Sequence, residues 1–500
     1  MKEVIIMANI AIVGGGVAGL SAGIYAQMNG HNATIYEKHF KAGGNLTGWD
    51  RNGYHIDNCI HWLTGTNPLN EFYKMWEELG ALGNIEVYQA DTLYTFEKDG
   101  QSISLSKRID RVKADMLRIS PEDKGEILSF IRAVKALQYI NGFSGKDCDQ
   151  KSTVVQKLLS APCLMKYSKL TTGELAKRFK HPLLRGFIES FMTDYFSSLA
   201  LIMVFATFSG ENGGIPKGSS CAMAERMVER FLSLGGKLRL RKGVSKVNLR
   251  GEEAESVTLE DGTVEKADYV ILATDPATTF GKLLDKKLMP KALRKQYDDP
   301  KMIRFSSYHC AFACDSTELP FESDLVVEVP EKYRNDLNTS YMTIREFSHE
   351  KSFSPEGKSL IQTMIYCVED DACEFIELSR NKTAYKEKKS KIAEDIKDII
   401  TDKLPALREK LHCVDVWTPA TYRRYVNSEM GSFMSFALPS GSMPKKISNS
   451  IKGIKNVVLA TQWLQAPGGL PIAAMSGVDA IKTILKKEKR EKRKPIVVTH

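Results

Sequence analysis

Hydrophobic residues in the first forty positions predict a strand, a helix and a second strand. Ile10 to Val13 form a short apolar run, and Leu20 to Met28 has the small residues of a helix that packs closely on a sheet. Ala33 to Glu37 is predicted as a second strand, and the glycine-rich stretch 14–19 lies between the first strand and the helix. The chain therefore begins with a βαβ unit of an α/β fold.

The periodicity changes several times along the rest of the chain. Alternating stretches, helical spacing and then further strands indicate two or three structural units, as the length of 500 residues also suggests. In the first half of the chain we predict a hairpin over 88–105 with its turn at 98–100, followed by helices between 108 and 209. Strands are then predicted at 237–240 and 269–273, with a hairpin around 260–262 between them. After residue 276 we predict mixed strands, a charged helix over 382–400, a strand at 456–460 and a helix over 473–485.

Composition narrows the class of protein. With 43% hydrophobic and 26% charged residues, the chain is an ordinary globular protein rather than a collagen-like, disordered or disulfide-scaffold one. Part of its formal net charge of +9 lies near the C-terminus, where residues 486–494 hold seven cations and two glutamates. We interpret this tail as a solvated helix end, with a membrane-surface anchor as the alternative. Nucleic acid is not an expected partner, because no aromatic residues interleave with the basic ones.

The nine cysteines are scattered without a Cys-x-x-Cys pair, which favours neither a disulfide framework nor a zinc site. His309, Cys310 and Cys314 lie in an alternating apolar stretch, so we predict a strand of core residues there and expect no metal. A reducing cytoplasm fits this cysteine usage. No signal peptide is expected, and the longest apolar stretch, Leu199 to Phe208, is shorter than the roughly 18 to 20 residues of a membrane span. We expect a soluble or peripheral protein.

The first candidate for chemistry is Gly14-Gly15-Gly16-Val17-Ala18-Gly19, a G-x-G-x-x-G pattern between a strand and a helix. Gly14 permits the tight turn, Gly16 lets the backbone approach a pyrophosphate, and Gly19 allows the helix to lie close to the strand. Glu37 ends the second strand near the distance expected of the carboxylate that binds ribose hydroxyls. The alternative is a chance glycine turn with an unrelated glutamate, which leaves this register unexplained. We therefore predict a dinucleotide-binding site.

FAD and NAD share this unit, and the segments that follow decide between them. Gly43 and Gly44 lie shortly after Glu37 and would let the backbone pass near the pyrophosphate or the flavin. Further motifs occur at Gly53-Tyr54-His55-Ile56-Asp57, Pro216-Lys217-Gly218-Ser219, Ala267 to Pro276, Gln462-Trp463, Ala466-Pro467-Gly468-Gly469-Leu470-Pro471 and Ser476-Gly477. Together with the first unit they resemble the phytoene desaturase and carotenoid isomerase family of FAD enzymes, and the resemblance covers nearly the whole chain.

The resemblance implies FAD as the cofactor, and nothing in the sequence marks a covalent attachment, so we expect non-covalent binding. A helix that starts after Gly469 would stabilise the anion formed on the flavin upon reduction, because its N-terminus carries about half a positive charge. Beyond the glycines and Glu37, the implied cofactor-binding residues are Val17, Ala18, Lys38, Asn45, His61, Trp62, Val244, Ala273, Thr274, Gln462, Gly468, Leu470 and Pro471.

Two departures from the family pattern bear on the chemistry. Desaturases of the family commonly place an arginine after the paired glycines, whereas this chain has Asn45. The stretch from Cys59 to Gly65 is more similar to the retinol saturase and carotenoid isomerase branch. Within it, His61 is a candidate catalytic acid or base, because histidine exchanges protons near neutral pH. The alternative for His61 is a hydrogen-bonded packing residue beside the flavin.

For the fold, the resemblance implies an α/β protein with a discontinuous Rossmann-like FAD-binding domain that has a parallel sheet, a substrate domain with a mixed sheet, and a helical insertion. We assign residues 1–70, 210–290 and 436–485 to the FAD-binding domain, 71–107 and 291–435 to the substrate domain, 108–209 to the insertion and 486–500 to a basic tail. The insertion is rich in apolar side chains, which suits either a lipid-facing lid or an ordinary helix-bundle core.

For the activity, the resemblance implies chemistry at carbon–carbon double bonds of a hydrophobic isoprenoid, polyene or other lipid, by desaturation, saturation or isomerisation. One alternative is an amine or amino-acid oxidase, which would have an aromatic cage or a carboxylate-binding arginine beside the flavin. Another is a flavoprotein that holds a lipid without catalysis. The lining of the pocket discriminates among these.

Overall fold

The computed structural model describes residues 7–138, 161–162, 164–315, 319–442 and 445–492. Residues 139–160 of the predicted insertion, residues 493–500 of the predicted basic tail, and Cys148 and Cys163 lie outside these ranges. Within the described ranges, no helix combines the length and the hydrophobicity that crossing a membrane requires.

A five-stranded parallel sheet contains the predicted βαβ unit. In spatial order its strands are Lys237–Arg239, Asn32–Tyr36, Asn9–Val13, Tyr269–Leu272 and Val457–Leu459. The inner strands are apolar and buried almost throughout, as expected where other layers cover both faces of a parallel sheet. The strands come from three stretches that lie far apart in the sequence. The sheet therefore brings the beginning, the middle and the end of the chain together.

The two faces of this sheet carry different layers. Ile10 and Ile12 face a helical layer, whereas Ala11 and Val13 face a small antiparallel sheet, as the two-residue period of a strand requires. The helices of the first layer are Val17–Met28, Ser219–Ser233 and Leu470–Lys492. The strands of the second layer are Val244–Arg250, Glu253–Leu259 and Val264–Lys266.

The first helix and the last one cross at a glycine. A Cβ atom on Gly477 would lie 2.3 Å from the carbonyl oxygen of Ala18, so no larger side chain fits unless the backbone moves. The last helix begins at Leu470, three residues before the predicted start at 473. It does so because the amide of Ala473 already donates to the carbonyl of Gly469, at 2.9 Å. The crossing thus fixes the start of the last helix relative to the first helix.

A seven-stranded mixed sheet forms the second large layer. In spatial order its strands are Leu411–Trp417, Phe305–Cys314, Ser359–Val368, Tyr341–Glu346, Asp324–Glu328, Thr92–Lys98 and Gln101–Ser106. Only the pair Asp324–Glu328 and Thr92–Lys98 runs parallel among these described strands. The predicted hairpin is present, and Asp99 and Gly100 at its turn have positive φ angles of 52° and 74°.

The helical insertion packs on this second sheet. Leu183, Phe187 and Phe191 of the insertion share one buried core with Phe96 and Ile103 of the sheet. These apolar side chains therefore belong to a buried core, and a role of the insertion as a lid stays a prediction. The remaining helices are Glu71–Glu78, Ile109–Ile119, Lys124–Gln138, Thr172–Ala176, Pro182–Glu189, Ser198–Ser209, Pro276–Thr278, Lys291–Asp298, Glu331–Leu337, Glu369–Leu378, Lys382–Lys403 and Pro419–Val426.

Two features differ from the predicted organisation. Trp76, on the helix Glu71–Glu78, is fully buried in the core of the parallel sheet, so this helix packs there and not with the second sheet, where the sequence placed it. A hairpin over Gly48–Arg51 and Tyr54–Asp57 is absent from the prediction, although Asn-Gly at its turn is a strong hairpin signal.

A last small sheet joins Leu63–Thr64, Gly213–Pro216 and Val87–Tyr88.

The helix crossing generates a stability prediction. We expect Gly477→Val to lower the free energy of unfolding by about 1–3 kcal/mol, because the added side chain must push the two helices apart. Urea unfolding of the FAD-loaded protein measures this loss.

The matched control is Gly125→Ala, on an exposed helix position where a Cβ atom would meet no atom within 4 Å. This variant should lose no stability, because alanine is a better helix former than glycine. Equal unfolding midpoints for the two variants would contradict the role given to the crossing.

Candidate functional site

A cavity of about 1190 Å³ lies between the parallel sheet and the seven-stranded sheet. Every residue predicted to bind the cofactor lines it, with the single exception of Gly19. These wall residues are Gly14, Gly16, Val17, Ala18, Glu37, Lys38, Gly43, Gly44, Asn45, His61, Trp62, Val244, Ala273, Thr274, Gln462, Gly468, Gly469, Leu470 and Pro471. The fold thus gathers at one cavity side chains from segments that lie far apart in the sequence.

The glycine turn forms a cradle with room for a phosphate group. Gly19 does not line the cavity but shapes its wall. A Cβ atom at position 19 would lie 1.9 Å from the carbonyl oxygen of Gly14, so the helix can lie this close to the strand only because residue 19 is glycine. Gly16 lines the cavity, and a Cβ atom placed on it would make only an ordinary contact, with the Gly44 Cα at 3.9 Å. The helix Val17–Met28 begins here without a side-chain cap and without an acidic residue in its first turn. Free N–H groups at a helix start bind anions, so this cradle fits a pyrophosphate.

Glu37 is held at the end of the second strand by the glycine turn itself. The amide of Gly15 donates to its Oε2 and the amide of His39 donates to its Oε1, each at 2.7 Å. Each carboxylate oxygen keeps a further lone pair for a ligand. Val244 and Thr274 line the same cavity. This geometry fits the predicted role of Glu37 in binding ribose hydroxyls.

At the other end of the cradle, three segments meet at the carbonyl oxygen of Phe433. Asn45 Nδ2 and Gln462 Nε2 both donate to it, each at 3.3 Å. Gln462 Oε1 in turn accepts from the amide of Gly469 at 2.8 Å, immediately before the last helix begins. Asn45 therefore ties the glycine pair to the segment around Phe433.

Two buried acceptors at this end have no partner within the protein. Asn45 Oδ1 and Asn58 Oδ1 are buried without a hydrogen bond in the described part of the chain, and both residues line the cavity. Buried polar atoms normally find a partner, so an unpaired pair on a cavity wall points to a ligand with N–H donors. An isoalloxazine ring carries such a donor. Together with the phosphate cradle and Glu37, these residues fit FAD along the cavity.

Asp57 is a residue whose role the sequence motifs did not reveal. Its buried carboxylate accepts from the amide and the hydroxyl of Ser220, at 2.8 and 2.7 Å, and from the amides of Cys59 and Ile60. It therefore joins the Gly53–Asp57 motif to the start of the helix that follows Pro216–Ser219, and holds in place the loop that carries His61. Both motifs were visible in the sequence, but their contact was not.

The cavity wall beside the seven-stranded sheet carries Asp415 and a group of uncharged residues, and we call the space that the uncharged residues line the inner chamber. Its wall residues are Cys59, His61, Trp62, Met203, Ser307, His309, Met364, Tyr366, Trp417, Tyr422, Phe433 and Met434. Charged side chains line the adjoining part of the cavity. Two of them, Arg51 and Asp415, form an ion pair at 3.3 Å, and the Arg51 side chain is 52% exposed. The inner chamber itself suits a neutral, largely apolar molecule.

His309 lies on this wall and corrects the prediction that placed it in the core with Cys310 and Cys314. The predicted strand is correct, but alternation sends Ser307 and His309 to the cavity face and Cys310 to the opposite, buried core. In the described residues no group of three or more His, Cys, Asp or Glu side chains is arranged to hold a metal ion.

Burial keeps both histidines of the inner chamber neutral. It lowers the pKa of His61 well below its usual value, and the charge of Arg345 and the nearness of His309 act in the same direction. It lowers the pKa of His309 to about 3. Histidine that is uncharged at neutral pH accepts a proton or donates a neutral N–H, so any role of His61 is that of a base or a hydrogen-bond donor. The catalytic role of His61 stays a prediction.

His309 forms a compact cluster with its neighbours. Its Nε2 lies 2.7 Å from Ser307 Oγ and 3.1 Å from Tyr422 Oη. Its ring stacks on Trp417, with centroids 4.6 Å apart and planes 2° from parallel. Burial also raises the pKa of Tyr422, and it raises the pKa of Tyr366 to about 12. Both phenols therefore stay protonated at neutral pH.

Comparison with known proteins places this arrangement among flavoproteins. The sequence profile described as flavin containing amine oxidoreductase matches residues 17–485. Prolycopene isomerase 1, chloroplastic, of an Oncidium hybrid cultivar is 24% identical over an alignment that covers 97% of this chain and 85% of the relative. The 4,4'-diaponeurosporene oxygenase of Staphylococcus aureus strain MW2 is 21% identical over an alignment that covers 97% of this chain and 99% of the relative.

The fold is also similar to that of a solved structure. An oxidoreductase from Methanosarcina mazei superposes with a TM-score of 0.61 at 14% sequence identity, covering 95% of this chain and 100% of the other. At this identity the likeness concerns the fold alone. It confirms the predicted α/β class with a parallel sheet and a mixed sheet.

The contacts of Glu37 generate a prediction for cofactor affinity. We expect Glu37→Gln to weaken FAD binding about 10- to 100-fold, because hydrogen bonds to a charged group contribute about 1.5–3 kcal/mol. Titration of the apoprotein with FAD, followed by flavin fluorescence, measures the dissociation constant. Glu86→Gln, at an exposed carboxylate paired with Lys217, is the matched control and should bind FAD as the parent protein does. An unchanged dissociation constant in Glu37→Gln would remove Glu37 from the site.

The depressed pKa of His309 generates a prediction for acid stability. Above pH 6.5 the ring is neutral in the folded and unfolded states, so it adds no pH dependence there. Below pH 6.5 the unfolded chain takes up a proton that the folded chain excludes down to about pH 3, so stability falls as the pH falls. One such proton accounts for a slope of about 1.4 kcal/mol per pH unit.

We therefore expect His309→Gln to flatten the loss of stability between pH 6.5 and pH 4.5 in FAD-loaded protein. Urea unfolding at several pH values measures this slope. A slope in His309→Gln as steep as in the parent would show that His309 is not the buried neutral group.

Proposed function

The chain belongs to the flavin containing amine oxidoreductase family, which confirms the predicted FAD and the predicted resemblance, and from this premise we propose its reaction. The protein is an FAD-dependent oxidoreductase. Its proposed reaction is at carbon–carbon double bonds of a hydrophobic isoprenoid or polyene, by saturation, desaturation or isomerisation. Relatives named for prolycopene and for 4,4'-diaponeurosporene support this substrate class.

The observation that carries the proposal is the uncharged inner chamber beside the residues that fit FAD. When bound, FAD supplies two-electron transfer as hydride at its isoalloxazine ring. Trp62, Met203 and Met364 line the chamber with apolar surface, which excludes water and packs against an extended hydrocarbon. Asn45 and Asn58 would offer their unpaired acceptors to an N–H group of the flavin ring.

We assign proton movement in this reaction to His61. The side chain is buried and neutral, and Asp57 fixes the loop that carries it. A neutral imidazole can take a proton from a substrate carbon during desaturation and can return it during saturation. This role is a proposal and rests on the position of His61 on the chamber wall.

An amine oxidase is the alternative, and aromatic rings in the chamber favour it in part. Tyr422 and Phe433 lie with ring centroids 6.4 Å apart and planes tilted by 35°. The arginines that line the described part of the cavity, Arg51 and Arg424, lie outside the inner chamber, however, and Arg51 is already paired with Asp415. Amino-acid oxidation is therefore the less favoured of the two amine reactions.

The test is a spectroscopic assay of the FAD-loaded protein without oxygen. We expect a polyene to reoxidise the reduced flavin, or a saturated isoprenoid to reduce the oxidised flavin, seen as a change of absorbance near the flavin band. Amines and amino acids form a parallel panel. Turnover with amines and none with isoprenoids would overturn the proposal in favour of an amine oxidase. Isomerisation leaves the flavin in its starting oxidation state, so the double-bond geometry of the polyene is also analysed by chromatography after incubation with reduced FAD-loaded protein. Bound FAD that responds to neither panel, together with an unchanged polyene, would favour the lipid-holding alternative.

The same assay tests His61. We expect His61→Gln to slow the flavin reaction about 100-fold or more, the usual contribution of a positioned acid or base, while the protein still binds FAD. His412→Gln, at the surface, is the control and should react at the parent rate. A parent rate in His61→Gln would assign His61 to packing.

A further inference from the structure

A lysine and a cysteine from distant parts of the chain are in direct contact beside the cofactor cavity. Lys41 follows shortly after Glu37 and lines the cavity, and Cys221 lies in the first turn of the helix Ser219–Ser233. The Nζ atom of Lys41 donates a hydrogen bond to Cys221 Sγ. Reactive thiols are typical of such a position, next to a lysine and near the start of a helix. The pair is therefore a candidate for thiol chemistry separate from the proposed reaction.

The surroundings of the pair keep the amine and the sulfur together. The Lys41 side chain is 29% exposed, and its Nζ also lies 3.7 Å from Oε1 of Glu225, one helical turn after Cys221. Cys221 is 8% exposed, and its Sγ lies 3.7 Å from the carbonyl oxygen of Gly48. With so little exposed surface, the sulfur is open to a small oxidant and closed to a bulky thiol such as glutathione. An oxidised Cys221 would already be in contact with a nucleophile, the Lys41 amine.

A reduced flavin in the adjoining cavity can supply the oxidant. Its reaction with dioxygen restores the oxidised flavin and yields hydrogen peroxide, which is small and uncharged. Peroxide converts a thiol to a sulfenic acid, in which the sulfur has lost two electrons and carries a hydroxyl group, and one water leaves. Sulfenic acids condense with nitrogen nucleophiles to sulfenamides. When the neutral Lys41 amine attacks, the S–N bond forms, the S–O bond breaks, and hydroxide leaves with an amine proton as water.

We propose that Lys41 and Cys221 form a sulfenamide bond when the reduced flavin reacts with dioxygen, and that this bond fastens the phosphate cradle to the helix Ser219–Ser233. The net change is the loss of one hydrogen from the thiol and one from the amine, while one peroxide becomes two waters. The inference depends on the flavin and not on the identity of the substrate.

The segment after Lys41 connects this bond to the cofactor. The amide of Gly43 donates to the carbonyl of Gly15 at 2.8 Å, so the glycine pair is part of the phosphate cradle. A Cβ atom on Gly43 would lie 3.0 Å from Cβ of Ala224, on the helix that carries Cys221. The cradle thus already packs on this helix, and a covalent bond at Lys41 removes conformational freedom from the segment beside FAD. The bond should therefore slow the release of FAD.

The test detects the bond by mass spectrometry of the FAD-loaded protein. The flavin is reduced by light under nitrogen, air is admitted, and the free thiols are alkylated before digestion. We expect a linked pair of peptides that contain Lys41 and Cys221 and together lack two hydrogen atoms. Hydrogen peroxide added to the oxidised protein should give the same product, dithiothreitol should reverse it, and a sample kept under nitrogen should not contain it.

Two conservative variants identify the partners. Lys41→Arg keeps the charge but removes the amine, so the sulfenic acid of Cys221 should persist and react with dimedone. Cys221→Ser should give neither the linked peptides nor a label at position 221. The control thiol is Cys373, which is exposed and lies near Arg304 and Arg423. It should react with dimedone in all three proteins and form no link.

The rate of FAD release tests the consequence of the bond. We expect the linked protein to release FAD severalfold more slowly than the same protein treated with dithiothreitol, measured as the rise of flavin fluorescence on dilution. Cys221→Ser should release FAD at one rate before and after oxidation. Absence of the linked peptides from the oxidised parent protein, or a dimedone label on Cys221 in their place, would overturn the proposed bond. Linked peptides with an unchanged release rate would overturn its action on the cradle.

Discussion

Gly477 lets the last helix lie against the first helix at a distance that no side chain would permit. The consequence reaches the site, because each of these helices begins at the cavity wall, one after Gly16 and the other after Gly469. Two helix starts then direct their N–H groups and partial positive charge toward one cavity. An anionic pyrophosphate and a reduced flavin are the groups that such a field stabilises. The contact at Gly477 therefore affects the cofactor site because it sets the positions of these two helix dipoles.

Farther along the cavity, the wall residues of the inner chamber carry no charge. Burial there favours the neutral form of every titratable group that it shifts: it lowers the pKa of His61 and His309 and raises that of Tyr366 and Tyr422. Behind the wall, Arg345 is neutralised by Asp324. The protein thus keeps charge at the cofactor end and hydrogen bonds without charge at the other. Such a chamber recognises its ligand by shape and by a few polar atoms.

The local parts of this arrangement could be predicted from the sequence, whereas their pairing could not. The glycine turn and Glu37 follow from one strand–helix–strand unit, so spacing alone places them. The contact of Asp57 with Ser220 joins residues 163 positions apart, and no local pattern encodes it. Alternation around His309 correctly predicts a strand, but it does not tell which face meets a cavity. The hairpin at Asn52-Gly53 carried a readable signal, and its absence from the prediction is an error of interpretation.

Asn45 departs from the pattern of the family, and only the structure shows which contacts this residue makes. An arginine after the paired glycines would bring a full positive charge to the flavin end of the cavity. Asn45 instead donates to the Phe433 carbonyl, as Gln462 does, and leaves its own Oδ1 unpaired beside Asn58. The helix start at that end contributes a positive field that is weaker than that of an ion and fixed in direction. The residues of the inner chamber carry no charge either, so they would act on a bound flavin through hydrogen bonds from neutral groups.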